Sequence, residues 1–344
     1  MTGRERSAGL QRCLRGAVVL VAVCLGVLGR EARGFEWDVI TYQNRDYVSA
    51  ENIHEFYRFQ SLEEEGKDVV FRAPTLEMRA TKGRDDLYIN KIRFILSYPV
   101  LVHEGKTMFS RLDVVKLIDP VLRPEYISER GDITTVILDP GHGGHDSGAK
   151  SSYGREKDLA LAMAKQLKSE LVARGLKVEM TRETDKFLTL NERVQIANRI
   201  PNALFVSVHF NYGNRSAKGI ETYALSPQGT SSSYGSRSTD NLSFQGNGRD
   251  SENIALATAV HASVLHQVKE HQEVLGQEGP VDRGIKRARW AVLRGINKPA
   301  ILFESGFITH PVEGKLCASS AYRGVMANAI ADAVVNYRKA LSER

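Results

Sequence analysis

The chain has 344 residues, of which 42% are hydrophobic and 26% charged, with 29 Gly and 10 Pro. This composition is that of an ordinary globular protein, so it excludes collagen-like, disordered and coiled-coil chains, and the length favours about two domains. The 47 Lys and Arg exceed the 41 Asp and Glu by six, but residues 1–34 hold six Arg against two Glu, which leaves +2 on the rest. That near-neutral balance, without a separate basic stripe, argues against nucleic acid as a partner.

Residues 1–34 have the pattern of an export signal. Four arginines, of which Arg15 is the last, precede a 13-residue apolar run from Ala17 to Gly29. That run fits the core of a signal peptide and is too short to span a bilayer. We predict cleavage between Gly29 and Gly34, no transmembrane span afterwards, and a periplasmic or cell-envelope location; an uncleaved anchor is the alternative. Beyond residue 34 Cys317 is the only cysteine, so neither an intramolecular disulfide nor a cysteine zinc cluster is expected.

Residues 35–131 combine short alternating strands with two helical stretches. Strand patterns occur at 46–49, 68–71, 76–80, 86–90 and 91–96, and helical patterns at 49–57 and 110–118. They predict a small α+β accessory domain, which loosely resembles the stalk-like repeats, related to the amine-oxidase N-terminal domain, of bacterial cell-surface enzymes. No cluster of histidines, cysteines or carboxylates in this segment is typical of catalysis. We expect it to bind the wall or a protein partner, or to act as a spacer.

Residues 132–344 alternate strand and helix patterns. Strands are predicted at 134–138, 177–181, 203–208, 219–225, 290–293 and 299–303, and helices at 159–173, 189–200, 251–269 and 321–341. This alternation predicts an α/β domain with a mostly parallel sheet flanked by helices on both faces. The Ser-, Gly- and Asn-rich segment 227–250 has no apolar helical period and predicts a mobile loop without an inhibitory helix.

Side chains that can bind a metal follow the predicted strands. His142 follows strand 134–138, His209 follows 203–208, and Glu156 begins the helix between them. Two histidines and one glutamate, with a fourth position open, are typical of catalytic zinc. Glu304, after strand 299–303, would accept a proton from water and then donate it to a leaving amine. Singly, each has a structural explanation, such as an ion pair of Glu304 with Arg294, but their shared edge of the sheet favours a metal site.

Separated motifs in a fixed order carry a resemblance to a known family. They are Ile137–Ala149 with Glu156–Asp158, Thr181–Asp185, Leu190–Asn198, Ser207–Asn211, Gly219–Tyr223 and Val292–Phe307. Over about residues 134–341 the chain resembles the zinc-dependent N-acetylmuramoyl-L-alanine amidases of the third amidase class. The resemblance implies His142, Glu156 and His209 as Zn²⁺ ligands and Glu304 as the catalytic carboxylate. It also implies peptidoglycan as substrate, cut between the lactyl group of N-acetylmuramic acid and L-alanine.

Some assignments stay open at this point. Arg294 is predicted as a second catalytic residue that orients substrate or Glu304, and Asn211 as a supporting residue. His145 forms a His-x-x-His pair with His142, but loop spacing does not fix ligand geometry, so we do not expect it to bind the metal. Two further functions compete with the amidase: a zinc peptidase acting on another amide, and a catalytically inert wall-binding protein.

Overall fold

The computed structural model describes residues 35–127, 132–275 and 280–342. The predicted signal segment 1–34 lies outside them. In the first range the elements are β1 (Val39–Tyr42), β2 (Arg45–Ser49), α1 (Ala50–Tyr57), β3 (Ser61–Glu65), β4 (Asp68–Ala73), β5 (Leu76–Thr81), β6 (Asp86–Ile89), β7 (Ile92–Ile95), β8 (Leu101–His103), β9 (Lys106–Ser110), α2 (Arg111–Asp113) and α3 (Asp119–Leu122). A π-helical turn, Val114–Ile118, joins α2 to α3, and a 3₁₀ turn, Pro124–Tyr126, follows.

The remaining ranges contain the α/β part. Its elements are β10 (Thr135–Pro140), β11 (Lys150–Ser151), β12 (Gly154–Arg155), α4 (Glu156–Ala173), β13 (Lys177–Met180), α5 (Leu190–Asn198), β14 (Ala203–Asn211), β15 (Ile220–Leu225), α6 (Asp250–Glu270), α7 (Gln272–Leu275), β16 (Asp282–Ala288), α8 (Ala291–Gly295), β17 (Ala300–Phe307), α9 (Pro311–Ala318) and α10 (Ser320–Ser342). A 3₁₀ turn, Gln245–Arg249, precedes α6. No helix among the described residues is long and apolar enough to cross a membrane.

One eleven-stranded sheet runs through both parts, in the order β13-β10-β14-β17-β15-β16-β7-β6-β5-β4-β3. Strands β13, β10, β14 and β17 pair in parallel, β15 pairs antiparallel with β17, and β16 pairs in parallel with β15. The mostly parallel sheet predicted for the second part is therefore confirmed. The sheet does not stop there, because Ile285 of β16 pairs with Phe94 of β7 and the antiparallel strands β3–β7 continue it.

The two faces of the parallel strands are covered differently. Alternate residues point to opposite faces, so Val136 and Leu138 join the core beneath α4, α6 and α10, whereas Ile137 joins a smaller core with Phe205 and Leu302. The larger core also contains residues of the N-terminal strands, such as Phe71. The short helices α5 and α8 cover the second face, and the space left beside them holds the candidate site.

Two predictions along the chain are wrong in local structure. The apolar stretch 290–293 was predicted as a strand, but Ala291–Gly295 forms helix α8. The strand of this region is instead β16, whose polar sequence Asp-Arg-Gly-Ile-Lys-Arg-Ala gave no apolar strand pattern. The periodicity of a short apolar run does not show whether the run forms a strand or a helix. In this segment the contacts with neighbouring elements determine that it is a helix.

Candidate active site

The three predicted metal ligands lie together. Nε2 of His142 is 3.1 Å from Oε2 of Glu156, and Nδ1 of His209 is 2.8 Å from Oε1 of the same carboxylate. One donor atom from each residue falls within 4.8 Å of the others, so a single ion can contact all three. Glu156 is buried at the start of α4, while the two histidine rings are partly exposed to the cavity. Nitrogen and carboxylate donors in this number suit zinc.

Two glycines give the ligands room to approach one another. A Cβ on Gly141 would lie 2.2 Å from the ring of His209, and one on Gly148 would lie 2.5 Å from Oε2 of Glu156 and 2.6 Å from the His142 ring. Gly148 also has a φ of +60°, a conformation that side chains with a Cβ rarely adopt. The glycine-rich sequence around His142 is therefore a geometric requirement of the cluster.

Carboxylates fix the orientation and charge of the cluster. Oδ2 of Asp146 lies 2.8 Å from Nδ1 of His142, which leaves Nε2 directed at Glu156. Burial lowers the pKa of His142, but the hydrogen bonds with Glu156 and Asp146 outweigh it and raise the pKa above its usual value. Burial likewise raises the pKa of Glu156, but both histidines outweigh it and hold that pKa well below the usual range. A carboxylate that stays charged is suited to bind a cation.

Buried arginines hold the loop that carries His142. Nη1 of Arg193 lies 2.7 Å from Oδ1 of Asp139, and its Nη2 donates to the carbonyl of His142 at 2.6 Å. Arg182 donates to the carbonyls of Gly141 and Pro140. These arginines belong to the motifs Thr181–Asp185 and Leu190–Asn198, for which the sequence alone gave no role beyond the family resemblance.

Glu304 lies in the middle of a strand, not at its end as predicted. Strand β17 continues to Phe307, and β14 continues past His209 to Asn211. Glu304 pairs with His209 on one side and with Glu221 of β15 on the other. Its Oε2 is buried and has no hydrogen-bond partner among the described residues. Burial, followed by the carboxylates of Glu156 and Glu221, raises the pKa of Glu304 well above its usual value.

Glu221 anchors a polar network that sequence reasoning missed. Its carboxylate accepts hydrogen bonds from Asn211 Nδ2 at 3.0 Å and from Lys286 Nζ at 2.7 Å, and also from Arg283 Nε and the Tyr223 hydroxyl. Glu221 was visible only as part of the motif Gly219–Tyr223. The signal that would have identified the role of Glu221 is its pair of cationic partners, Arg283 and Lys286. Both lie in β16, a strand that the sequence did not predict.

These groups surround a cavity of about 1210 Å³. Its wall includes the three ligands, Glu304, Asn211, the apolar residues Phe187, Leu188 and Leu190, and on another side Arg237, Arg289 and Trp290. The sequence predicts a mobile loop without a helix over 227–250. Residues 227–244 form no helix, but Gln245–Arg249 forms a 3₁₀ turn and α6 begins at Asp250. Side-chain contacts tie the segment to its neighbours. The ring of Tyr234 stacks on Tyr223 at 5.9 Å, and Asp240 pairs with Arg289 at 2.9 Å.

Arg294 does not lie where the sequence analysis put it. It is on α8, its guanidinium carbon is 5.2 Å from the centroid of the Phe244 ring, and it is not part of the cavity wall. No ion pair joins it to Glu304 among the described residues. The predicted role of Arg294 in orienting substrate or Glu304 therefore has no supporting contact among the described residues. His145 packs on the ring of Phe187 at 4.1 Å and is not one of the three residues whose donor atoms converge.

Comparisons with known proteins show which family the chain is similar to. The family model Amidase_3, described as N-acetylmuramoyl-L-alanine amidase, matches residues 136–336, more than half of the chain. The N-acetylmuramoyl-L-alanine amidase AmiA of Escherichia coli is 32% identical over 222 residues, which are 60% of this chain and 77% of AmiA. AmiC of Neisseria meningitidis is 33% identical over 216 residues, 59% of this chain and 52% of AmiC. Among solved structures, the amidase AmiC2 of Nostoc punctiforme is 31% identical, covers 61% of this chain and 98% of its own, and has a TM-score of 0.49.

Proposed function

The chain belongs to the N-acetylmuramoyl-L-alanine amidase family, and from this premise we propose that it is a zinc-dependent enzyme whose reaction takes place at the cavity described above. It hydrolyses the amide between the lactyl group of N-acetylmuramic acid and the L-alanine of the stem peptide in peptidoglycan. The observation that carries the zinc dependence is the convergence of His142, Glu156 and His209, with one donor atom of each within 4.8 Å of the others.

The donor set fits a catalytic zinc site in number and kind. Three protein ligands leave a fourth position, and the ligands line an open cavity through which substrate can reach it. Zinc bound in such a site acidifies water to a pKa of about 7 and polarises a carbonyl oxygen. The glycines at 141 and 148 and the Asp146 carboxylate keep the donors in this arrangement.

Glu304 is proposed as the residue that moves protons. It faces the same cavity from the strand next to His209, and its Oε2 has no other hydrogen-bond partner among the described residues. In its carboxylate form Glu304 can accept a proton from the attacking water. Burial raises the pKa of Glu304, which favours retention of that proton until the leaving nitrogen takes it. Glu304 then donates that proton to the nitrogen of L-alanine as the C–N bond breaks, so that the amine leaves neutral.

Asn211 is a positioning residue in this scheme. Its amide nitrogen donates to Glu221, while the residue itself lines the cavity. The network around Glu221 therefore fixes the side chain of Asn211 beside Glu304. No described contact gives Arg294 a part in the reaction, and we assign it none.

The decisive experiment replaces Glu304 by Gln. Glu304→Gln keeps the shape of the side chain but cannot exchange protons, so we expect normal zinc content and loss of turnover on purified muropeptides, followed by mass spectrometry. Glu179→Gln, at an exposed position of β13, is the matched control and keeps full activity. Full activity of Glu304→Gln would overturn its assignment. Wild-type activity that survives a zinc chelator would overturn the zinc dependence.

The same assay separates the competing functions. An inert wall-binding protein would release no amine from muropeptides, with or without zinc. A zinc peptidase would cleave other peptide amides and leave the lactyl–alanine bond intact. Family membership favours the amidase over both.

We also propose that the protein is exported, because peptidoglycan lies outside the cytoplasmic membrane. Residues 1–34 carry the predicted signal and lie outside the described residues. Determining the N-terminus of protein recovered from the cell envelope tests this: a start between residues 30 and 35 supports export with cleavage, and an intact Met1 contradicts cleavage. That residues 35–131 bind the wall or a protein partner, or act as a spacer, stays a prediction.

A further inference from the structure

The cationic side chains of the cavity wall differ in whether they have partners. Arg193 pairs with Asp139, and Arg289 pairs with Asp240, each through a contact of 2.7–2.9 Å. No described side chain forms an ion pair with Lys150 or with Arg237, although both line the cavity. Each of these two cations can therefore bind an anionic group of a substrate without first breaking a contact.

Arg237 is fixed in position by its backbone. Its backbone N–H donates to Oδ2 of Asp240 at 2.9 Å, and Oδ2 also accepts from Ser236 Oγ at 3.0 Å. The other oxygen of Asp240 accepts from Arg289 at 2.9 Å. Asp240 is thus saturated by these donors and holds the turn, while the guanidinium of Arg237 stays exposed. A fixed backbone with an available guanidinium is the arrangement that a binding arginine needs.

The order of strands places Arg237 on a defined side of the reacting bond. Of the proposed metal ligands, His142 follows β10 and His209 lies on β14, while Glu156 begins α4. Glu304 lies on β17, and Tyr223 lies on β15 beyond it. Tyr234, three residues before Arg237, stacks on Tyr223. The segment that carries Arg237 therefore contacts β15, the neighbour of β17 on the side away from β14. Lys150 belongs to the metal side, because the neighbouring Ala149 N–H donates to Glu156.

The chemistry of the proposed function orients the substrate across these strands. The carbonyl carbon must lie at the metal cluster, and the departing nitrogen must face Glu304, from which it receives its proton. The peptide attached to that nitrogen then extends past Glu304 towards β15. The muramoyl side extends the other way, along the apolar wall of Phe187, Leu188 and Leu190.

We propose that Arg237 binds a free carboxylate of the stem peptide and so makes the charge of the leaving peptide a specificity determinant of this enzyme. The inference rests on the proposed function. A guanidinium forms two parallel N–H···O bonds with a carboxylate, and a carboxamide cannot replace that pair. The segment 227–244 is thereby the part of the cavity that recognises the stem peptide.

The test compares two muropeptides that differ at one group. In one the second stem residue carries a free α-carboxylate, and in the other the same position is a carboxamide. We expect the wild-type enzyme to prefer the carboxylate form by about fivefold in kcat/KM, the size of a charge-assisted bond that stays partly exposed. Arg237→Gln brings the ratio close to one by raising KM for the carboxylate form, and Arg237→Glu reverses it.

Controls separate specificity from general damage. Arg237→Lys keeps the direction of the preference, because the positive charge remains. Arg199→Gln, an exposed arginine outside the cavity wall, keeps the wild-type ratio and rate. All variants should hold wild-type zinc, and Arg199→Gln should also cleave the carboxamide form at the wild-type rate.

Two results would overturn the inference. One is an equal kcat/KM of the wild-type enzyme for both muropeptides; the other is an unchanged preference in Arg237→Gln. If the wild-type enzyme cleaves neither muropeptide nor isolated peptidoglycan, the proposed function itself fails and this inference fails with it.

Discussion

An ion-pair cluster on the N-terminal strands and an ion pair behind the candidate site differ in how far they are exposed to solvent. On β3–β5, Arg79 contacts Glu65 and Asp68 at 2.8 and 3.1 Å, and all three side chains are about a third exposed. In the C-terminal part, Arg193 and Asp139 contact each other at 2.7 Å with side-chain exposures of 4% and 1%. Ion pairs of the same kind thus lie on a solvent-exposed face in the N-terminal region. In the C-terminal region the pair holds the loop that carries His142.

The difference follows from how the two halves of the sheet are covered. Antiparallel strands tolerate one solvated face, whereas parallel strands are covered on both. A charged side chain between strands that are covered on both faces must be paired, because an unpaired buried charge is costly. The pairing then fixes the positions of the two side chains and of the backbone groups that they contact. The comparison teaches that the buried pairs near the cavity specify where backbone carbonyls and ligands lie, while the surface pairs specify little.

Separating the two regions should have the largest effect. Removing residues 1–131 deletes β3–β7, exposes the edge of β16, and opens the core that both regions share. We expect residues 132–344 alone to be insoluble or to lack cooperative unfolding by circular dichroism. A monomeric fragment with cooperative unfolding and amidase activity would instead show two independent domains, which is what the sequence predicts.

Breaking one buried and one surface pair tests the contrast directly. Arg193→Met leaves the Asp139 carboxylate uncompensated in the interior, and we expect a loss of about 3–5 kcal/mol in the free energy of unfolding, measured in urea. Arg79→Met, in the N-terminal strands, should leave the urea midpoint almost unchanged, because solvent screens that pair. Similar losses in both variants would contradict the comparison.

Two glycines with nearly the same backbone φ angle extend the comparison between the two regions. Gly66 has a φ of +64° and Gly148 a φ of +60°, but a Cβ at Gly66 meets nothing within 4 Å. Each Gly→Ala change should cost about 1–2 kcal/mol from the left-handed conformation. Only Gly148→Ala should also lower the zinc content per chain, because its Cβ displaces Glu156 or His142. Normal zinc in Gly148→Ala would show that the ligands can shift without penalty.

The most local effect is expected from the carboxylate behind His142. Asp146→Asn weakens the hydrogen bond that orients the ring, and we expect zinc affinity to fall about 10–100-fold in competition with a zinc indicator. Asp85→Asn, an exposed residue of the N-terminal region, is the control and leaves affinity unchanged. An unaltered affinity in Asp146→Asn would mean that packing alone orients His142.

The sequence was sufficient to single out His142, Glu156 and His209, which the structure brings together, and to predict most strands of the α/β part. His142 and His209 were recognisable because each follows a continuous apolar strand, and Glu156 because it begins a helix between them. Their convergence is a consequence of β10 and β14 being neighbours in the sheet. The role of these residues as zinc ligands stays a proposal.

What the sequence could not show depends on partners that are distant along the chain. Strand β16 contains Arg283, Lys286 and Arg287, so it has no apolar pattern; Glu221 neutralises the first two, while Arg287 lies buried near Asp113 and Asp250. Periodicity reports which face a residue occupies but not which strand lies beside it. The misplaced strand at 290–293 came from that limit.

The junction of β7 with β16 has a consequence for how the chain folds as it is synthesised. Phe94 finds its partner Ile285 only after nearly 200 further residues have emerged. Until then the hairpins β3–β7 present an open hydrogen-bonding edge, which invites pairing with other chains. Contacts this far apart in sequence also slow folding. The late arrival of β16 therefore makes the nascent N-terminal sheet the segment most in need of protection from aggregation.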